Sequence, residues 1–261
     1  MVLAVFIPIY APLLSRFGAR ESYYSHGYLV PFVSLYLVYR KRKDLRKLKV
    51  KPCFFGIVIL VAGIIIYLVS LSLRINFTAY LALPVVIFGI VLYLGGRGFA
   101  GALLFPIAFL VFMLPLPEVL IIGISFKLKI LAAQGATFLV NKMGIDAQRA
   151  GSTIYYPGGF LLVGDPCSGL RSLITFLALG ALFTQFCLAH VFKKTLLFIS
   201  SVPIAIMSNL LRLTFLLLAG YIYGEKATKG FIHDFSGIMV FVLGFLGLLF
   251  VSRLLKCQIT L

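Results

Sequence analysis

Apolar runs of membrane-crossing length recur from one end of this chain to the other, and they limit what it can fold into. A hydrocarbon core about 30 Å thick takes about 20 apolar residues in helical form. Inside it every backbone N–H and C=O must be paired within the protein, so such runs fold as spanning helices. Composition agrees. Of the 261 residues, 62% are hydrophobic and 12% charged, against about 25% charged in a soluble domain. The runs leave no room for a separate soluble domain, so residues 1–261 read as one all-α polytopic membrane domain.

A net charge of +17 raises the question of nucleic acid. The basic residues, however, cluster in short loops between apolar runs, which is the pattern of cytoplasmic anchoring rather than a nucleic-acid face. The N-terminal apolar stretch has neither a basic leader nor a small-residue cleavage site, so no cleavable signal peptide is expected. The four cysteines do not read as a disulfide framework. Cys53 and Cys257 flank basic segments, Cys187 lies inside an apolar run, and Cys167 has no obvious partner.

Taken in order, Met1–Leu14 is a short first span and Arg16–Gly27 a polar loop with Glu21 and His26. Tyr28–Tyr39 crosses next and ends in Arg40-Lys41-Arg42-Lys43, with the basic run continuing to Lys51. This run is the strongest orientation signal and places its loop in the cytoplasm. Phe54–Leu73 goes out, Phe77–Leu94 returns, and Phe99–Leu114 goes out again to stop at Pro115-Leu116-Pro117. Glu118–Met143 carries Lys127, Lys129, Gln134 and Asn141, and reads as an amphipathic or re-entrant helix at the outer interface. Thr153-Ile154-Tyr155-Tyr156 and Phe160-Leu161-Leu162-Val163, around Pro157-Gly158-Gly159, predict an extracytoplasmic β-hairpin. Ser168–Ala189, Thr195–Tyr221 and Phe235–Leu255 complete eight spans with both termini inside.

The status of Glu118–Met143 decides everything after it. Without a crossing there, the clusters His190–Lys194 and Arg253–Lys256 both fall inside, as the charge rule wants; with one, both fall outside. The acids give weaker support. Asp44 lies inside, and Glu21, Glu118, Asp146, Asp165, Glu225 and Asp234 lie outside.

Polar residues converge on that outer face. In Asp165-Pro166-Cys167-Ser168-Gly169-Leu170-Arg171, Asp165 is placed to cap a helix and Pro166 fits its first position. Cys167 then falls in the first turn, where unpaired N–H groups and the helix dipole favour the thiolate. Arg171, one turn on, adds positive potential. His233 stands in the loop before the last span and is the candidate proton shuttle for the thiol. Arg212 lies within a span, about 14 Å of helix from its outer end. An arginine there costs about 2.5–3.5 kcal/mol on insertion scales, which argues for a use. A fork of donors suits an oxyanion. Asn209, one turn away, is placed to orient it or to add a donor. Asp234 is a weak candidate to fix an imidazole, and His26 is structural or substrate-lining. The set lacks the spacing of a metal site. It calls for no cofactor.

Beyond chemistry, the motifs carry a resemblance. Tyr24-Ser25-His26-Gly27, Leu104-Phe105-Pro106, Met113-Leu114-Pro115-Leu116-Pro117, Cys167-Ser168-Gly169-Leu170-Arg171-Ser172-Leu173, Asn209-Leu210-Leu211-Arg212 and His233-Asp234-Phe235-Ser236-Gly237 make the chain similar to exosortases and archaeosortases. Pro166 stands where members often have alanine. The resemblance implies a membrane cysteine transpeptidase of the plasma membrane with its site on the extracytoplasmic side. Cys167, Arg212 and His233 would be the catalytic residues. Its substrates would be secreted, membrane-anchored proteins with a C-terminal sorting signal, passed to a surface acceptor in polysaccharide or surface-layer biogenesis. A rival of another class is a non-enzymatic transport or assembly subunit for polysaccharide; a third reading is an intramembrane hydrolase that only cleaves.

Overall fold

A computed structural model describes residues 5–18, 22–224 and 230–259. Glu21 and Glu225, two of the acids expected outside, lie beyond the described residues. The chain divides into two compact units, Met1–Glu118 and Val119–Leu261.

The first unit runs α1 (Ile7–Gly18), a 3-10 turn (Ser25–Tyr28), α2 (Leu29–Arg40), α3 (Arg42–Leu45), α4 (Phe55–Ser72), α5 (Asn76–Gly95) and α6 (Arg97–Phe109), the last extended by a 3-10 turn to Met113. α4 and α5 reproduce the expected third and fourth spans. They pack closely because glycine faces backbone across the pair: a Cβ on Gly89 would lie 2.7 Å from the Leu60 nitrogen, and one on Gly56 would strike Tyr93. In lipid, where apolar burial alone gives helices no reason to associate, such close approach supplies the attraction.

The second unit opens with α7 (Glu118–Lys142) and a three-stranded antiparallel sheet of β1 (Gln148–Ala150), β2 (Thr153–Tyr156) and β3 (Gly159–Leu162). The expected hairpin is there, with Tyr155 opposite Phe160. Pro157 and Gly158 (φ +94) occupy its turn, Pro with its fixed φ ahead of a Gly free to adopt the left-handed region. β1 is an addition. Its three residues are all exposed, so no apolar alternation announced it.

After the sheet come α8 (Leu170–Phe186), β4 (Cys187–Leu188), α9 (Val191–Tyr223), α10 (Phe231–Leu254) and β5 (Gln258–Ile259). Phe176 of α8, Leu197 and Ala205 of α9, and Val240 and Leu248 of α10 share one buried cluster. A second cluster joins Ala132, Ala133, Ala136 and Val140 of α7 to the sheet residues Ile154, Tyr156 and Leu161 and to Leu213, Leu216 and Leu217 of α9.

Cysteine usage is corrected. Cys187 and Cys257 form a disulfide, beside the two-stranded pairing of β4 with β5. It ties the C-terminal end of α8 to that of α10 across 70 positions. Loop-closure entropy for that separation is about 4 kcal/mol, an upper figure where a bilayer already restrains the unfolded chain. No pair was evident in sequence because the two thiols meet only once both helices pack on α9.

Among the described residues five helices, α4, α5, α7, α9 and α10, are long and apolar enough to cross a membrane, and α8 and the α6 segment to Met113 are shorter apolar helices. With 12 residues each, α1 and α2 extend about 18 Å. The protein is a multi-pass helical membrane protein; helix lengths support five crossings and do not establish eight. α7 is one uninterrupted helix of 25 residues.

Candidate active site

The Cys167 segment begins where β3 ends. A 3-10 turn spans Asp165–Cys167, the Cys167 N–H donates to the Gly164 carbonyl at 3.1 Å, and the Ser168 N–H donates to the Asp165 carbonyl at 3.1 Å. Gly169 then takes φ +85, and α8 starts only at Leu170. Glycine is needed there twice over. The left-handed conformation disfavours a side chain, and a Cβ would stand 2.8 Å from Asn209 Nδ2.

Three expectations are corrected by this geometry. Cys167 precedes α8 rather than lying in its first turn, and its amide is already bonded to Gly164, so a helix-dipole account of the thiol does not hold. Asp165 does not cap α8. Its carboxylate meets Lys129 Nζ at 2.6 Å and accepts from Ser125 Oγ at 3.3 Å, both on α7. Arg171 is the second residue of α8, so the one-turn spacing that put it on the thiol's face does not apply; its Nε is buried without a hydrogen-bond partner among the described residues.

Asn209 has a different job from the one expected. Its Nδ2–H donates to the Cys167 carbonyl at 3.2 Å, so it fixes the Cys167 backbone, not the arginine. Arg212, 9% exposed, sends Nε–H to Ser236 Oγ at 2.9 Å. The Ser236 hydroxyl in turn donates to the His233 carbonyl at 2.6 Å. Ser236 escaped the sequence reading as a site residue. The signal was its place three positions after His233, which puts both on one helix face.

His233 is the centre of the cluster. It lies in the first turn of α10 rather than in a preceding loop. Its Nε2 is 3.2 Å from Arg212 Nη2 and 3.8 Å from Cys167 Sγ. A guanidinium has only donors, so Nε2 is the acceptor and the ring proton sits on Nδ1. Thiol and guanidinium therefore face one imidazole lone pair. Asp234 is exposed and makes no bond to the imidazole among the described residues.

His26 belongs to the first unit. Its Nε2 donates to the Phe112 carbonyl at 3.1 Å. Burial pushes this imidazole below its ordinary value, with the carbonyl bond pulling the other way. Among the described residues no group of three His, Cys, Asp or Glu side chains is placed to hold a metal.

A helical membrane protein that gathers a thiol, an imidazole and a guanidinium around one nitrogen has the parts of a cysteine acyl-transfer site. The family comparison meets that chemistry. The model of the transmembrane exosortases matches residues 18–250, and the chain belongs to that family. The matched span contains Cys167, Arg212 and His233. Neither the curated proteins nor the solved structures give a match.

Proposed function

We propose that this protein is a membrane-embedded cysteine transpeptidase acting on the C-terminal sorting signals of secreted, membrane-anchored proteins, and that residues 1–261 work as one domain. The observation that carries the reading is the shared contact of Cys167 Sγ and Arg212 Nη2 with His233 Nε2, at 3.8 and 3.2 Å. His233 takes the thiol proton and Sγ attacks the scissile carbonyl carbon. As negative charge builds on the oxygen, Arg212 turns from Nε2 to that oxygen, which leaves the lone pair to the thiol proton. Collapse breaks the C–N bond, and His233 returns its proton to the leaving amine. The thioester is resolved when His233 deprotonates an acceptor amine, hydroxyl or water, which attacks in its turn. Asn209 and Ser236 hold the reacting groups, and Arg171 remains a candidate for substrate contact.

The product separates transferase from hydrolase. The processed tail of a candidate substrate should carry the added mass of an acceptor at its new C-terminus. A bare carboxylate on every processed molecule would reduce the protein to a protease. An unprocessed tail with normal polysaccharide assembly would favour the transport reading.

Charge supports an extracytoplasmic site in the plasma membrane. The end of α8–α10 away from Cys167 carries Lys193, Lys194, Arg253 and Lys256, a cytoplasmic pattern. The Cys187–Cys257 disulfide at that end pulls the other way, since disulfides are rare in the cytoplasm outside hyperthermophiles, and a crossing by α7 would also invert the unit. Charge acts during insertion, before any disulfide forms. In intact cells a membrane-impermeant maleimide should label Tyr155→Cys, at an exposed strand position, and spare Cys53 beside the basic loop. Labelling of Tyr155→Cys only after lysis reverses the orientation.

A further inference from the structure

An ammonium held against apolar surface calls for a partner, and at mid-length in α7 Lys129 meets a carboxylate two residues before the thiol. Lys129 Nζ lies 2.6 Å from Asp165 Oδ1, with the lysine side chain 20% exposed. Ser125, one turn earlier on the same helix face and buried, donates to the same oxygen at 3.3 Å. The segment from Gly164 to Gly169 is neither strand nor α-helix, so no continuous ladder holds it. Its local bonds, Cys167 N–H to Gly164 and Ser168 N–H to Asp165, shape the turn without fixing where the turn stands.

Anchors from other helices help to do that. Asn209 of α9 grips the Cys167 carbonyl on one side, and the Lys129–Ser125 pair of α7 grips Asp165 on the other. α7 is itself seated, because Ala132, Ala133, Ala136 and Val140 are buried against the sheet and α9, in the cluster that also contains Cys167. A rigid helix thus holds a charged hook on a short turn. Its release lets the turn rise or fall relative to His233.

We infer that Lys129, assisted by Ser125, is a positioning residue that sets the distance between Cys167 Sγ and His233 through Asp165. This rests on Cys167 being the nucleophile. The thiol contact is already long at 3.8 Å, so a further shift of about an ångström separates thiol from base. Misplacement of that size costs about 10- to 100-fold in rate.

Cys53 and Cys167 are the cysteines outside the disulfide, so full-length Cys53→Ser protein reports on Cys167 alone through its alkylation rate with iodoacetamide. Lys129→Met takes the thiol away from its base, so at neutral pH the thiolate fraction and with it the alkylation rate should fall about 10- to 100-fold, while Lys129→Arg, which keeps a donor in reach of Asp165, should stay near the parent rate. The pair Lys129→Met with Asp165→Asn leaves no lone charge, so it should regain the parent's thermal midpoint yet remain slow. A purely structural role predicts recovery of both. The inference is overturned if Lys129→Met, or that double variant where the single one does not fold, alkylates at the parent rate. Failure of the underlying reading looks different: Cys167→Ala would then still process tails, whatever Lys129 does.

Discussion

Cys167→Ala is expected to end tail processing, with a fall on the order of 10⁴-fold or more, the scale on which loss of a nucleophile is felt in enzymes that act through one. The thiol is 5% exposed and sits in the cluster with Ile154 and Leu213, so alanine leaves a small void as well as removing the sulfur. Cys167→Ser is the sharper variant. Serine keeps the shape, the Gly164 turn and the Asn209 anchor, but its hydroxyl gives up a proton to one imidazole far less readily than a thiol does. Both variants should leave the substrate tail at its uncut mass in cells. Undiminished cleavage by Cys167→Ala would discard the acyl-enzyme mechanism and favour a transport or assembly role, in which Cys167 is dispensable and Arg212 is not.

Arg212→Lys should cost about 10²- to 10³-fold in processing, the range seen when an oxyanion donor is removed. Charge is retained in this variant, so the loss reads geometry. The guanidinium spans two partners at once, Ser236 Oγ through Nε at 2.9 Å and His233 Nε2 through Nη2 at 3.2 Å. A lysine places one nitrogen and cannot bridge both. Substrate should still bind, because the variant removes a donor that acts as charge develops on the carbonyl, so the loss should fall on turnover more than on half-saturation. Wild-type rates from Arg212→Lys would remove the oxyanion role and leave Arg212 as a support for the start of α10.

His26 and Arg171 show how a motif can point to a residue without giving its task. Both stand in stretches that carry the family resemblance. His26 spends its Nε2 proton on the Phe112 carbonyl. Helical counting puts Arg171 on the thiol's face, but in the fold that helix has not yet begun at Cys167. Helical spacing is informative only within one helix, and Gly169 breaks the count.

What the sequence determined by itself was the class of fold and the meeting of three residues. Apolar runs of fixed length must become helices in lipid because nothing else pairs their backbone groups. Consecutive antiparallel helices bring the start of α8, the later part of α9 and the start of α10 to one end, which is why Cys167, Arg212 and His233 could be grouped before any distance was known. Tertiary structure alone decided which partner each polar group took. Asn209 chose the Cys167 carbonyl 42 positions away and Asp165 chose Lys129; Arg212 chose Ser236, and Cys187 chose Cys257. The reason is physical. Each of these side chains has several acceptable partners, and a bond of about 3 Å tolerates so little error that only the packed positions of the helices can select among them.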